Sequence, residues 1–500
     1  MLLDMAADGF GERVVSGTRA DGLTAAGLRE AAAGGAALLR AQRASALVYL
    51  DVNGPVFPAA LFAAAKAGVP FVPINYRLSA EQQSRLLANH PGATILTGSQ
   101  REAVSHAAYG PTHTVLSTQD WITRASAAGR SAPLDGDEGR DPAVIIYTSG
   151  TTSEPKGVLL RHDNLVSYVL GTVEFGGADP EDASLVSVPP YHIAAVANAI
   201  TNLFAGRRCI VLEQFSGAQW VELVRSEEVT HALVVPTMLA RIVTADADLS
   251  VPSLRSLAYG GAPMPAKVIE AALGAWPHVD FVNAYGLTET SSTIAVLGPQ
   301  EHRAAVTSDD PAVRARLGSV GAAIPTVQIE IRDVDGVAVP SGVVGRIWVR
   351  GEQVSGEYAG SGSVLDGDGW FDTRDEGYLD EDGYLFIGGR TDDTIIRGGE
   401  NIAPAEIEEV ILSLDGVDDA VVVGVPDDEW GQRLEAAVVA ARGATLDPES
   451  IRELVRARLR GSKTPDRILV WDELPRTETG KIVRRRVLER MVQDSSAATA

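Results

Sequence analysis

The sequence predicts an α/β protein: a large N-terminal domain of parallel-sheet α/β subdomains with a small β subdomain, then a smaller C-terminal α+β domain. Three observations carry this expectation. The 500 residues exceed what one compact core usually holds. Short apolar runs alternate with Ala-rich helical stretches to about residue 310. The pattern then changes twice, near residues 320 and 390.

Residues 45–50, 58–68 and 69–73 read as strand, helix and strand, a spacing that suits parallel pairing. The same rhythm returns in strands expected at 182–188, 208–212, 230–235, 254–259 and 281–285. Residues 320–350 alternate Val and Ile between the turn pairs Asp335-Gly336 and Ser341-Gly342, which predicts antiparallel hairpins. Beyond residue 390 we expect a helix at 404–413, strands at 420–425 and 436–441, a helix at 448–460 and a strand at 467–471. The tail from Asp494 is rich in Ser and Ala and is expected to lack structure. The domain boundaries are therefore placed at 1–391, with the β subdomain at about 315–390, and 392–500.

Composition excludes several classes of function. A net charge of −23 disfavours nucleic acid and anionic membrane surfaces as main partners, because the long-range field repels both. Hydrophobic content of 45% fits a globular chain, and no apolar run is long enough to span a bilayer. The N-terminal Met1-Leu2-Leu3-Asp4-Met5 lacks the layout of a signal peptide, so a cytoplasmic enzyme is expected. The one cysteine, Cys209, sits in an apolar run and reads as a small core residue. Cations are almost all Arg. Five lysines remain, Lys66, Lys156, Lys267, Lys463 and Lys481, and each is a place to ask whether a compact point charge is needed. The sequence does not decide the oligomeric state, with a homodimer among the options.

The most informative segment follows the apolar residues 143–146: Tyr147-Thr148-Ser149-Gly150-Thr151-Thr152-Ser153-Glu154-Pro155-Lys156-Gly157-Val158. A strand that empties into hydroxyls, glycines and a lysine offers N–H and O–H donors and a cation to phosphates. It is not a P-loop, since Lys156 precedes Gly157-Val158 rather than Ser or Thr. Further motifs follow in order. Ala258-Tyr259-Gly260-Gly261-Ala262-Pro263 closes one expected strand, and Asn283-Ala284-Tyr285-Gly286-Leu287-Thr288-Glu289 closes another. Taken alone, a Tyr-Gly pair there reads as a core residue and a turn; an aromatic face also suits a purine, and a carboxylate suits Mg²⁺. Pro189-Pro190-Tyr191-His192-Ile193, Trp370-Phe371-Asp372-Thr373-Arg374-Asp375, the run Gly389-Arg390-Thr391-Asp392 through Gly398-Gly399-Glu400-Asn401, and Thr477-Glu478-Thr479-Gly480-Lys481 complete the set.

These motifs, in this order over nearly the whole chain, resemble the adenylate-forming superfamily of acyl-CoA synthetases, non-ribosomal adenylation domains and firefly luciferase. The family's phosphate loop reads Thr-Ser-Gly-Thr-Thr-Gly-x-Pro-Lys-Gly; here Ser153 replaces a glycine, and Arg374 replaces the glycine of the family's Thr-Gly-Asp element. The resemblance implies that Thr148, Ser149, Gly150, Thr151, Thr152 and Lys156 hold the ATP phosphates. Gly260, Gly261, Ala262, Asn283, Ala284, Tyr285 and Gly286 would bind ATP or AMP, the 258–263 loop lying on the adenine side and Tyr285 stacked on the base. Thr288 would contact phosphate, Glu289 would help hold Mg²⁺, Asp375 would accept from the ribose hydroxyls, and Arg390 would reach the ribose or phosphate. Lys481 is implied as the lysine that stabilises the adenylation transition state, and His192 as the residue beside the carboxylate channel. The C-terminal domain is implied to be a mobile lid that turns about Asp392 between two half-reactions. The Gly-Gly-Glu-Asn run and Trp430 resemble the CoA ligases for aromatic acids such as 4-chlorobenzoate, which implies CoA contacts at Arg77, Gly398, Gly399, Glu400 and Trp430.

The function implied is thus acid plus ATP to acyl-adenylate and pyrophosphate, then acyl transfer to CoA, with ATP, Mg²⁺, CoA and a small carboxylic acid as partners. A carrier-protein thiol as acceptor is the runner-up, although no phosphopantetheine attachment site is read in the chain. A catalytically lost nucleotide-binding regulator is disfavoured by Lys481 and Glu289, and nothing suggests dioxygen chemistry. The acid pocket is expected to involve His192, residues 194–199, 258–261 and 285–290, mostly small or apolar, and so to take a hydrophobic fatty or aromatic acid.

Overall fold

The computed structural model describes residues 1–98, 101–109, 111–129, 142–148, 155–390, 393–397, 400–427, 430–459, 461–477 and 480–498, without the side chains of 102–104, 106, 400–401 and 495–498. Contacts divide the chain into two compact units, Met1–Gln328 with Val349–Phe371, and Ile329–Trp348 with Asp372–Ala500.

The first unit holds two large sheets rather than one continuous layer. The eight-stranded sheet runs, in spatial order, Gly362–Ser363, Glu357–Tyr358, Lys156–Leu160, Val144–Thr148, Phe71–Pro73, Leu47–Leu50, Thr94–Thr97 and Thr114–Ser117. Its last five strands are mutually parallel, whereas the first three pair antiparallel. Buried aromatic edges seat helix Val56–Ala67 on this sheet, with Phe57 edge-on to Tyr49 at 5.3 Å and to Phe71 at 5.2 Å.

The nine-stranded sheet runs Ala322–Ala323, Ser292–Leu297, Asp280–Leu287, Ser256–Gly260, His231–Val234, Ala183–Val186, Arg208–Val211, Val14–Ser16 and Leu23–Thr24. Its centre, from Asp280–Leu287 to Val14–Ser16, is parallel, so the motif residues Tyr259-Gly260 and Tyr285-Gly286 lie at carboxyl ends of neighbouring strands. That is where open α/β sheets gather ligands. Cys209 is buried within this sheet, and burial pushes its thiol up to about 12, as befits a small core residue.

In the second unit, the strand Val417–Asp427 shows how alternation builds two cores on one sheet. Ala420 and Val422 face a cluster with Ile407, Ile411, Ile451 and Val455 from helices Pro404–Leu412 and Pro448–Arg458. Val421, Val423 and Val425 face the opposite cluster with Val487 and Met491 of helix Arg484–Ala498. Gly431–Ala440 and Arg467–Trp471 complete this sheet. The expected turns at Asp335-Gly336 and Ser341-Gly342 are present, with φ of +79° at Gly336 and +78° at Gly342.

One expectation is corrected. The tail from Asp494 is not irregular: it continues helix Arg484–Ala498, because Ser and Ala extend a helix already anchored by buried Val487 and Met491. The small β sheet, Gln328–Arg332, Gly345–Arg350, Phe371–Leu379 and Leu385–Arg390, falls for the most part in the second compact unit. Asp392, the expected boundary, lies outside the described residues.

Candidate functional site

The phosphate segment is built as a hairpin. Strands Val144–Thr148 and Lys156–Leu160 pair antiparallel with Thr148 opposite Lys156, and the Thr148 hydroxyl donates to the Lys156 carbonyl at 3.4 Å. The register places both expected phosphate ligands at one end of the ladder. Ser149, Gly150, Thr151, Thr152 and the variant Ser153 lie outside the described residues.

Beside this hairpin stands the turn that carries Thr288 and Glu289. Strand Asp280–Leu287 returns as Ser292–Leu297, with a register irregularity between Tyr285 and Gly286. The single helical turn Thr288–Thr290 joins them, and Ser291 and Ser292 follow at φ of +55° and +110°. Non-glycine residues at such angles cost about 1–2 kcal/mol each, so something must hold the turn.

Gln353 does so. It is fully buried, donates from Nε2 to the carbonyls of Thr290 (3.0 Å) and Thr293 (2.8 Å), and accepts from Thr326 Oγ1 at 3.0 Å. Its own carbonyl accepts from the Ser291 hydroxyl at 2.8 Å. Gln353→Leu removes three hydrogen bonds made by a fully buried side chain to buried Thr290 and half-buried Thr293 and Thr326, and we expect a loss of about 3 kcal/mol, read as a lowered midpoint in chemical denaturation. An unchanged midpoint would show that Gln353 does not hold the turn.

The hairpin and the turn meet at Tyr358. Its hydroxyl donates to Glu289 Oε1 at 2.8 Å, and the Lys156 ammonium lies 5.7 Å from the centre of its ring. The sequence reading missed both Gln353 and Tyr358. They fall in Gly351-Glu352-Gln353-Val354-Ser355-Gly356-Glu357-Tyr358, a stretch with no run of donors or charges to mark it. Glu289 suits Mg²⁺, since one carboxylate oxygen is fixed by a hydroxyl and the donor is hard. Among the described residues there is no group of three or more His, Cys, Asp or Glu that could hold a metal ion.

Gly260 and Ala284 are partners across neighbouring strands, which brings together the two motifs expected to bind the nucleotide. The close approach at Gly260 is to that neighbour: a Cβ there would stand 2.1 Å from the Ala284 carbonyl oxygen. Gly261 follows at φ of +82° and Ala262 after it, half-buried. Asn283 Nδ2 donates to the Ser319 carbonyl at 3.1 Å, and Tyr285 is half-buried. Buried Tyr259 supports the motif from behind. Its hydroxyl is 2.8 Å from His302 Nε2, and burial holds the imidazole below its usual range.

His192 precedes helix Ile193–Ala205, its ring 4.9 Å from that of Tyr191. Of the Ala-rich stretch 194–199, Ala195, Val196, Ala197 and Ala199 are buried in the first unit's core, so these residues serve helix packing. Arg77 is exposed, lies 5.3 Å over the Tyr76 ring and donates from Nε to the Tyr76 hydroxyl at 3.1 Å.

The second unit carries the remaining candidates. Asp375 and Arg390 are partners across two strands, and Arg390 Nε donates to Asp375 Oδ1 at 2.9 Å. Arg374, in the glycine position of the family element, takes φ of +61°, so the replacement keeps the left-handed turn at a cost in strain. Trp430 is 47% exposed, with the Arg397 guanidinium 5.6 Å from its ring centre. Glu400 starts the strand Glu400–Ile402 opposite Arg397, whereas Gly398 and Gly399 lie outside the described residues.

Lys481 sits on a tight turn. The Thr477 N–H donates to the Lys481 carbonyl at 2.7 Å, the Lys481 N–H donates to Thr477 Oγ1 at 3.0 Å, and Gly480 takes φ of +83°. Arg476 braces this turn, binding the Gly480 carbonyl and the Asp419 carboxylate at once. Burial pushes the Asp419 carboxyl up, and Arg476 partly offsets that. Two other lysines are engaged in ion pairs, Lys66 with Asp4 at 2.9 Å and Lys463 with Glu406.

A hydroxyl- and lysine-ended hairpin, a carboxylate turn beside it and a small α+β unit ending in a braced lysine define the architecture of an adenylate-forming enzyme. The chain belongs to the AMP-binding enzyme family, matching it over residues 3–359 and matching the AMP-binding enzyme C-terminal domain over residues 406–481. It is 33% identical over 470 residues to a fatty acid–[acyl-carrier-protein] ligase of Streptomyces coeruleorubidus, covering 90% of this chain and 87% of that one. It is also 33% identical over 480 residues to a feruloyl-CoA synthase of an Amycolatopsis species, covering 94% and 91%. The structure of o-succinylbenzoate CoA synthetase from Bacillus subtilis, in complex with the acyl-adenylate intermediate OSB-AMP, superposes with a TM-score of 0.83 at 27% identity, covering 97% of each chain.

Proposed function

We propose that the protein is an ATP-dependent carboxylic acid–CoA ligase acting in the cytoplasm on a hydrophobic fatty or aromatic acid. A carboxylate oxygen attacks the α-phosphorus of ATP, the bond to pyrophosphate breaks, and an acyl-adenylate forms. The CoA thiolate then attacks the acyl carbon and AMP leaves. The observation that carries this reading is the braced turn presenting Lys481, in a chain that also keeps Thr148, Lys156 and Glu289 together.

The residue roles follow from chemistry. Lys481 supplies a compact cation where negative charge builds on the phosphoryl oxygens. Thr148, Ser149, Gly150, Thr151, Thr152, Lys156 and Thr288 bind the phosphates. Tyr285 offers its face to adenine between the backbones of Gly260, Gly261, Ala262, Asn283, Ala284 and Gly286. Asp375, with Oδ1 fixed by Arg390, accepts from the ribose hydroxyls. Mg²⁺ bound by Glu289 and the phosphates would neutralise phosphoryl charge. His192 flanks the entering carboxylate. Asp392 serves as the hinge, and Arg77, Gly398, Gly399, Glu400 and Trp430 take CoA.

The relative that charges an acyl carrier protein makes that thiol the competing acceptor. Mass analysis of products from ATP, a panel of acids and either CoA or phosphopantetheinylated carrier protein separates the two: acyl-CoA with AMP supports the proposal, and a thioester on the carrier alone overturns it. Exposed Trp430, with Arg397 against its ring, is suited to stack on the nucleotide end of CoA. Trp430→Ala is expected to raise the KM for CoA about tenfold, as the loss of one base–aromatic stack would, and to leave the KM for the acid unchanged. A shift in the acid's KM instead would show that Trp430 serves another site.

A further inference from the structure

We propose that Tyr358 is a positioning residue that couples the phosphate-side lysine to the carboxylate expected to bind Mg²⁺, fixing which oxygen of Glu289 faces the metal. This rests on the metal role proposed for Glu289.

Three observations carry it. The Tyr358 hydroxyl donates to Glu289 Oε1 at 2.8 Å, which engages one oxygen and leaves Oε2 for a cation. The same segment also grips the backbone of Glu289, whose carbonyl accepts from the N–H groups of Ser355 at 2.8 Å and Gly356 at 3.3 Å. Finally, the strand Glu357–Tyr358 is locked to the lysine strand: Tyr358 pairs with Val158, Arg161 forms a two-point ion pair with Glu357, and the Ser355 hydroxyl binds the Leu159 carbonyl.

The register of Lys156–Leu160 therefore sets where the Tyr358 hydroxyl stands, and the hydroxyl sets the rotamer of Glu289. With the Lys156 ammonium over the ring, a single side chain touches both groups. Orienting partners of this kind commonly change metal affinity by about 10–100-fold. A carboxylate freed to rotate would still bind a cation, but only after ordering itself in each binding event.

The test measures cation binding directly. Mn²⁺ is titrated by electron paramagnetic resonance into the protein saturated with α,β-methylene-ATP, which does not react at the α-phosphorus. Tyr358→Phe is expected to weaken Mn²⁺ binding about tenfold, to raise the Mg²⁺ needed for half-maximal pyrophosphate release by a similar factor, and to leave the KM for the acid unchanged. Tyr358→Leu, which also removes the ring, is expected to weaken the ATP analogue as well. In a Glu289→Gln background, Tyr358→Phe should change Mn²⁺ affinity no further. If Glu289→Gln binds Mn²⁺ less well while Tyr358→Phe binds it as wild type does, the positioning role is overturned and the metal role of Glu289 stands. Wild-type binding in both variants overturns the metal role and the coupling with it.

Discussion

Lys481→Ala is expected to lower adenylate formation by about 10²–10³-fold while an added acyl-adenylate is still converted by CoA at close to the wild-type rate. In the role proposed for it, the lysine stabilises the charge that builds on the α-phosphoryl oxygens as the carboxylate attacks phosphorus, whereas the second half-reaction is an attack at the acyl carbon with no attack at phosphorus. The turn that holds it gives the variant a clean reading. Its geometry rests on Thr477, Gly480 and the Arg476–Asp419 brace, so removing the Lys481 side chain leaves the bonds of the turn in place. Single-turnover assays of each half-reaction measure the split. Equal loss of both would show that Lys481 acts on a step they share.

Gly286→Ala is expected to cause the other large effect, on stability. A Cβ at this position would stand 1.8 Å from the Ser292 carbonyl oxygen and 2.9 Å from the Thr293 Cα, so the returning strand must move. Forcing atoms into such a contact costs about 3 kcal/mol or more, and here the displaced strand leads out of the strained Ser291–Ser292 corner. The thermal midpoint should fall in the absence of nucleotide. A wild-type midpoint with lost ATP binding would mean that this glycine makes room for the nucleotide rather than for the neighbouring strand.

That glycine illustrates what the sequence could convey. Motifs dense in donors, such as 147–158, and motifs ending strands, such as 283–289, were legible because their chemistry is concentrated in a few consecutive residues. The reason for a glycine was not, since Gly260 and Gly286 are constrained by carbonyls of a neighbouring strand rather than by anything local. Supporting residues escaped notice for the same reason. Gln353 reaches Thr290 and Thr293 from about 60 residues away in the chain, and Asp419 meets Arg476 across 57. The 420–425 strand was legible because Ala420-Val421-Val422-Val423-Gly424-Val425 is an unbroken run of apolar residues and glycine, which the fold divides into one apolar set for each face of the sheet. Composition misled at the tail, where Ser and Ala follow a helix whose buried residues lie upstream. The division into two sheets in the first unit depends on which strands pair, a long-range property that apolar runs do not record.

The candidate residues thus fall in two groups, each described within its own unit: Lys156 and Glu289, linked through Tyr358, with Gln353 holding the adjacent turn, in the first, and Asp375 bound by Arg390, exposed Trp430 and the braced Lys481 turn in the second. In the function proposed, this chain makes an acyl-adenylate and hands the acyl group to CoA. Pyrophosphate release from Mg-ATP, followed across a panel of carboxylic acids with and without CoA, tests it most directly. Release that is sustained for some acids only when CoA is present is the expected result; release that stays stoichiometric with enzyme despite CoA, for every acid that reacts, would contradict it.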